Sequence, residues 1–422
     1  MTRVAMVAGT YRPERCGVAH YTRRLRSALD ERGISSFVLT TGEAARASGD
    51  PSVVGAVRGW GLPDLPALVR ALRGRRADVI HIQHAAGTYG FKRAVFFLPP
   101  LLRAVGVTTP LVTTVHEYAW WEWEPRFVPR GAVEALKTWG QRRGLWDRED
   151  GFLLTGSDAL ITTNAHFADA IIERLPGLAP RLYHAPLVAN VDVTPVGRDE
   201  ARDEVRSRYG WSLEGRVVVY FGFLHPVKGL ETLLKAFVRV LEDQPQARLL
   251  LVGGVESLAL RGEEADWYWN KLQTLTTELG LDGVVAMTGY VPGEEASRLL
   301  SGADVGVLPF NYGLTLKSGA LLTLFAHGLP VVATRPEAPE PELADGRLVR
   351  LVERRDALGL AAALSSLLAD AEERARLGKA GRTYTGGLSW SAIAERHVEV
   401  YEVVLEKGAS IRGSSVSPFS LL

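Results

Sequence analysis

Three short segments of this chain carry residue types suited to holding an anion. The first reads Pro13-Glu14-Arg15-Cys16-Gly17-Val18-Ala19-His20-Tyr21-Thr22 and follows an apolar run. Gly17 at the mouth of a helix lets backbone N–H groups close on an anionic group, with the helix dipole in support. The second runs from Gly222 through Phe223 and Lys228 to Gly229. A lysine where a strand turns into a helix can neutralise phosphate that would otherwise call for a metal ion. In the third, Lys317-Ser318-Gly319-Ala320 precedes an apolar stretch, so Ser318, Gly319 and Ala320 would expose N–H groups at a helix N-terminus. Each segment also has a plainer reading: a tight turn, a solvated surface lysine, a buried helix.

The elements that must position these residues alternate along the whole chain. Short β-branched runs and amphipathic stretches follow one another, as in a parallel sheet covered by helices. In the first half the expected strands are Val4–Ala8, Phe37–Leu39, Val79–Gln83, Leu111–His116 and Ala159–Thr163. Between the first two, Val18, Tyr21, Leu25 and Leu29 recur at helical spacing, and Gly33 supplies the stop. The second half gives Val217–Phe221, Arg248–Val252, Val284–Thr288, Val305–Leu308, Pro330–Ala333 and Leu348–Leu351. Proline, valine and asparagine break the pattern across Ala185–Arg198. Trp390, Ile393, His397, Tyr401 and Val404 make a last helical stripe, followed by a serine- and glycine-rich tail. The expected division is residues 1–190, residues 191–387, a crossover helix at 388–407, and a mobile tail at 408–422. Two doubly wound sheets present ligand sites at their strand C-terminal ends.

Bulk properties narrow the classes. At 422 residues the chain holds two or three domains, and 46% hydrophobic content supplies their cores. A net charge of +1 gives no electrostatic case for nucleic acid. The single cysteine, Cys16, excludes an internal disulfide and fits a reducing compartment. Val4–Ala8 is too short for a signal-peptide core, and Ser318–Thr334 is broken by His327-Gly328 and Pro330. A cytoplasmic protein is expected, with peripheral contact at the inner membrane surface as a variant.

Taken in order, the motifs resemble retaining glycosyltransferases of family 4, which have the GT-B fold. The resemblance runs through the Cys16-Gly17 loop with Tyr21-Thr22, Asp78–Gln83, Val115-His116, the Gly222–Gly229 loop, Thr288–Pro292, Ala303-Asp304 with Leu308-Pro309, and Gly328–Thr334. It implies two Rossmann-like parallel-sheet domains facing a central cleft, with the last helix crossing back to the N-terminal domain. It also implies a nucleotide-sugar donor in the C-terminal half, its base against Gly289, Tyr290 and Val291, and its diphosphate on Gly222, Lys228 and the Ser318–Ala320 amides. Gly17 would approach that diphosphate from the other domain, and His116 would lie beside the donor sugar. Metal-independent hexosyl transfer with retention follows from the same resemblance. The acceptor would enter over the N-terminal domain.

The chain departs from the family at telling places. The arginine usual five residues before the phosphate lysine is Phe223, and the usual pair of glutamates is Thr315 and Thr323. Lys317 is the expected substitute for the missing arginine. Glu337, Glu340 and Glu342 are alternative ribose partners, although the prolines among them fit a plain loop. No cluster of metal-ligand type accompanies His81, His84 and His116. From Trp120 to Trp146, five tryptophans interleave with Arg126, Arg130, Lys137, Arg142 and Arg143, a pattern for stacking on an acceptor or anchoring at a lipid surface. Two rival functions share the layout: a nucleotide-sugar 2-epimerase, and a degenerate transferase kept as a nucleotide-sugar-binding partner.

Overall fold

The computed structural model describes residues 2–11, 16–118 and 128–413. The chain forms two compact units: Met1–Pro186 with Trp390–Leu422, and Leu187–Ser389.

Unit 1 is built on a seven-stranded parallel sheet in the order β3-β2-β1-β4-β5-β6-β7. The strands are β1 (Arg3–Ala8), β2 (Ser35–Thr41), β3 (Val53–Val57), β4 (Val79–His84), β5 (Leu111–Val115), β6 (Ala159–Thr162) and β7 (Leu182–His184). β1 is buried from Val4 to Ala8 and pairs with β4 in the register Val4↔Val79. A strand covered on both faces loses the apolar–polar alternation, and β1 accordingly reads as a continuous run, whereas β4 alternates apolar residues with buried His81 and Gln83. Two strands escape the sequence pattern. β3 carries Gly55, whose side-chain position would lie 2.7 Å from the Gly42 Cα, so close backbone approach demands a residue that reads as a breaker. β7 has only three residues and no apolar run.

The helix Gly17–Asp30 turns Ala19, Tyr21, Thr22, Leu25, Ala28 and Leu29 inward. Gly33, at φ +77°, reverses the chain after it, where an L side chain would be strained. The last helix, Trp390–Gly413, folds as part of unit 1 and packs on Gly17–Asp30. It buries Ile393, Ala394, His397, Val400, Tyr401 and Val404. Arg32 donates to Ser391 Oγ at 2.9 Å, and the Arg24 guanidinium lies 5.5 Å from the Trp390 ring centroid.

Unit 2 holds a six-stranded parallel sheet in the order β10-β9-β8-β11-β12-β13. Its strands are β8 (Val217–Phe221), β9 (Arg248–Val252), β10 (Val285–Met287), β11 (Val305–Leu308), β12 (Val331–Thr334) and β13 (Arg350–Val352). β13 starts two residues later than the apolar run Leu348–Leu351 implies. The first half of that run is spent on a turn in which Gly346 N–H bonds Val349 O. In both sheets the order reverses beside the first strand, between β1 and β4 and between β8 and β11. Loops leaving a parallel sheet diverge there and open a crevice.

One carboxylate pins the second crevice from below. Asp304, at the foot of β11, accepts the Val217 N–H at the foot of β8 (2.8 Å) and the guanidinium of Arg206 (2.7 Å). Arg206 is fully buried and also donates to Gly215 O and Gly302 O. Burial lowers the Arg206 pKa, and Asp304 works against that shift. Without Arg206, Asp304 keeps Arg202 and Arg216 at 3.1 and 3.4 Å, but the buried Gly215 and Gly302 carbonyls lose their donor. Arg206→Met should therefore lower the stability of unit 2 by about 2–4 kcal/mol. Hydrogen exchange resolved by peptide should show lost protection in β8 and β11 and unchanged protection in β1 and β4.

Candidate active site

In unit 2 the loops after β8 and β11 meet at the crevice. The β8 strand ends in Gly222 (φ +135°), whose N–H bonds Val252 O. The chain then passes through a turn, Pro226–Lys228, that is capped by His225 and closed by Gly229 at φ +71°. A side chain on Gly229 would lie 2.0 Å from Pro309 O, so only glycine allows this approach. Asn311 locks the two loops together: its N–H bonds Val227 O (3.0 Å) and its Nδ2 donates to Pro226 O (2.9 Å).

Lys228 is thereby laid over the Phe310 ring, with its Nζ 3.8 Å from the centroid. Burial pushes its pKa down to about 8. No carboxylate pairs with it among the described residues. A desolvated ammonium against an aromatic face gains a cation–π attraction but keeps unmet demand for an anion.

Across the crevice, Ser318 caps the helix Gly319–Ala326, its Oγ accepting the Leu321 N–H at 3.2 Å. The structure corrects one expectation here. The Ser318 N–H is spent on Thr315 O (3.0 Å), so the amides left open are those of Gly319 and Ala320. A side chain on Gly319 would collide with Asn190 at 2.4 Å. A Cβ built on Gly222 would stand 3.8 Å from the Ala320 Cβ, so the β8 and β11 segments are in contact distance. Half-buried Lys317 immediately precedes them.

Gly289, Tyr290 and Val291 follow β10, and a Cβ built on Gly254 would stand 3.2 Å from the Tyr290 nitrogen. Gly253 and Gly289 bridge, and the Gly253 N–H bonds Thr288 Oγ1 at 3.2 Å. Tyr290 is 62% exposed. Thr323 is fully buried, donating to Gly319 O and accepting the Asn190 N–H, which removes it as a ligand contact. Glu340 reaches back to the Leu316 N–H at 2.9 Å and so braces the loop.

In unit 1, His116 stands one residue beyond β5, where its N–H bonds His84 O. Its Nε2 is 2.9 Å from Gln83 Oε1, and Tyr21 meets its ring edge-on at 4.8 Å. With the Gln83 oxygen turned to His116, the ring proton sits on Nε2 and Nδ1 is left as an acceptor. Gln83 Nε2 lies 3.1 Å from His81 Nε2, Thr114 Oγ1 is 2.8 Å from the same nitrogen, and His81 Nδ1 is 2.7 Å from the Tyr401 hydroxyl. His397 donates from Nδ1 to Ile393 O at 2.7 Å. A buried polar chain thus runs from the last helix to His116. Burial, with His84 and His397 adding to it, pushes His116 down to about 3. Burial holds His397 at about 4 and His81 well below its ordinary value.

Gly17 opens its helix with nothing within 4 Å of where a side chain would begin. Packing does not demand glycine there. Trp120, Trp121, Trp123 and Arg126 lie outside the described residues. Sequence reasoning missed Gln83, Phe310 and Asn311. Phe310 and Asn311 follow β11 directly, where strand-end position was the available signal, whereas nothing in the sequence pairs Gln83 with His116.

The family model for the glycosyl transferase 4-like domain matches residues 16–185, and that for glycosyl transferases group 1 matches residues 215–370. Glycosyl transferase models thus match both units, and the chain is a glycosyltransferase. It is 29% identical over 251 residues to the D-inositol 3-phosphate glycosyltransferase of Corynebacterium jeikeium, covering 59% of this chain and 58% of that one. The matches span about half to three-fifths of the length of the first such relatives, 50% to 58%. Sucrose-phosphate synthase from Thermosynechococcus elongatus superposes with a TM-score of 0.70 at 20% identity, covering 96% of this chain and all of that one. Anabaena Alr3699/HepE in complex with UDP-glucose superposes at 0.64 and 16% identity, covering 97% and 100%. The fold of this glycosyltransferase is GT-B. No described helix is long and apolar enough to cross a membrane.

The histidine cluster sets a pH dependence. His81, His116 and His397 are held neutral when folded, with values below the 6.5 they take when unfolded. Between those limits the unfolded chain binds more protons, so stability rises with pH and falls as pH drops. Unit 1 should lose stability from about pH 6.5 down to about pH 4. Hydrogen exchange in β4 and β5 followed across that range checks this; flat protection would mean that the three rings titrate normally.

Proposed function

We propose that the protein transfers a sugar from a nucleoside-diphosphate sugar to a hydroxyl-bearing acceptor, with retention at the anomeric carbon and without a resident metal ion. The observation that carries this reading is Lys228. It is desolvated on Phe310, free of any carboxylate partner among the described residues, and set at the crevice where the Gly319 and Ala320 amides open. These groups, with Lys317 beside them, suit the two phosphates, and Gly222 lets the chain come close. Gly289, exposed Tyr290 and Val291 suit the base. HepE, a structural neighbour with bound UDP-glucose, supports a donor of this class.

During transfer the bond from the anomeric carbon to the diphosphate oxygen breaks, and Lys228 with the helix amides stabilises the charge that develops on the leaving group. A bond to the acceptor oxygen forms on the same face, and the acceptor proton passes to the released diphosphate. Retention rests on the family resemblance. Neutral His116, with Nδ1 accepting, suits a neutral hydroxyl group, and Gly17 opens its helix in the same unit. Unit 1 carries the acceptor.

Lys228→Ala should weaken binding of the cognate nucleoside diphosphate by about 1.5–3 kcal/mol and leave the bare nucleoside nearly unaffected. Because Lys228 loses its proton near pH 8, wild-type diphosphate affinity should also fall as pH rises past that value. Calorimetry at pH 7 and pH 9, after a thermal-shift panel identifies the base, measures both effects. His116→Ala should lower turnover far more than nucleotide affinity, and turnover should survive excess EDTA. Thr323, already engaged internally, keeps the partner-subunit reading in view; tight nucleotide binding with no turnover across a broad acceptor panel would favour it.

A further inference from the structure

A cavity of about 490 Å³ opens at the foot of the unit 2 sheet, the end opposite the Lys228 turn. Arg216, Asp304 and Pro330 line it, each standing one residue before β8, β11 or β12. Two helices complete the walls. Arg198 and Arg202 lie one turn apart on the helix Arg198–Arg208, and Arg374, Gly378, Lys379 and Arg382 share one stripe of the helix Ala371–Thr385. Glycine lets the second helix come close. A Cβ on Gly378 would lie 2.3 Å from Gly328 O, and one on Gly328 would lie 2.0 Å from Arg382 Nη2.

The charges here do not balance. Six cations line the cavity, Arg198, Arg202, Arg216, Arg374, Lys379 and Arg382, and Asp304 is the one carboxylate among the described lining residues. Asp304 is already shared by Arg206, Arg202 and Arg216. Arg374 is fixed by Nη1 bonds to the carbonyls of Leu367, at 2.8 Å, and Leu368. Burial lowers its pKa, with Arg216 and Arg198 adding to the shift and Asp304 and Asp370 opposing it. Arg382 meets the His327 carbonyl at 3.5 Å. Neither it nor Arg198 nor Lys379 pairs with a carboxylate among the described residues. Glu200, on the same helical turn as Arg198, faces Arg298 at 3.5 Å.

Like charges crowded in this way repel, and an arriving anion relieves them. The lining has no aromatic ring and no large aliphatic side chain. A nucleobase would find nothing to stack on there, and an acyl chain no apolar surface to cover. Guanidinium forks match the oxygens of phosphate. Each phosphate carries about −1.5 to −2 charges near neutral pH, so two or three of them answer the excess of five.

We propose that this cavity binds a compact anion carrying two or three phosphates, held by Arg198, Arg374, Lys379 and Arg382. It is a second anion site, and it does not rest on the donor reading given above. Its occupant lies against the ion cluster that fixes β8 to β11, so binding adds to the stability of unit 2.

Inorganic triphosphate in metal-free buffer at pH 7 is the probe. Calorimetry uses the full chain carrying Lys228→Ala, so that the Lys228 turn does not compete. Triphosphate should bind one-to-one, at least about tenfold more tightly than sulfate at matched ionic strength. Arg198→Ala and Lys379→Ala, both at exposed positions, should each weaken it by about tenfold, and Lys379→Glu by more. Saturating triphosphate should slow hydrogen exchange in β8 and β11, and should fail to do so once Lys379→Glu is added. Circular dichroism confirms that the variants fold.

Absence of saturable triphosphate binding, or binding indifferent to Arg198 and Lys379, overturns the proposal. Neither result touches the donor reading, which Lys228→Ala tests with the nucleoside diphosphate. Sulfate binding as tight as that of triphosphate would reduce the cavity to a diffuse basic patch and overturn the proposal. Binding of a short duplex DNA that Lys379→Glu abolishes, without triphosphate binding, would make it a nucleic-acid contact and overturn the proposal as well.

Discussion

Unit 2 depends on an ion cluster that lies at the opposite end of the sheet from the Lys228 turn. Asp304 holds the foot of β11 to the foot of β8 through the Val217 amide, and fully buried Arg206 holds Asp304. Arg202 and Arg216 approach the same carboxylate at 3.1 and 3.4 Å. Because β8 and β11 are adjacent but not consecutive, no short connection sets their relative position. Their hydrogen bonds and this cluster do. Everything at the other end inherits that spacing: the Asn311 bonds to the Lys228 turn, the close approach of Gly229 to Pro309, and the contact between Gly222 and Ala320.

The two units treat charge in opposite ways. Unit 2 keeps Lys228 desolvated on the Phe310 ring with no carboxylate partner among the described residues. Unit 1 gathers His81, His116 and His397 and keeps them neutral; Gln83 links His116 to His81, and the Tyr401 hydroxyl ties His81 to the last helix.

Much of this was legible in the sequence. Strands β1 and β8 are unbroken apolar runs because both of their faces are covered, and they were legible for that reason. β3 was hidden by Gly55 and β7 by its shortness. The sequence suggested three open amides at Ser318–Ala320, yet the Ser318 N–H is engaged with Thr315 O, in a turn that forms only in three dimensions. Phe223 and Thr323, which stand where the family carries an arginine and a glutamate, show what the residues there do instead. The Phe223 carbonyl accepts the Tyr220 hydroxyl, and Thr323 is tied to Gly319 and Asn190. The network behind His116 could not be read at all, because Tyr401 and His81 are brought together across 320 positions of sequence.

That separation bears on how the chain is made. Unit 1 is discontinuous: its final helix, which supplies His397 and Tyr401, is synthesised only after all of Leu187–Ser389. Domains commonly fold in order of emergence from the ribosome, the N-terminal one first. Here unit 2 has every residue it needs before unit 1 does. Until the last helix arrives, the Gly17–Asp30 helix has an uncovered flank, and His81 lacks the hydroxyl that bonds its Nδ1. The nascent N-terminal sheet must wait, incomplete, while its successor folds.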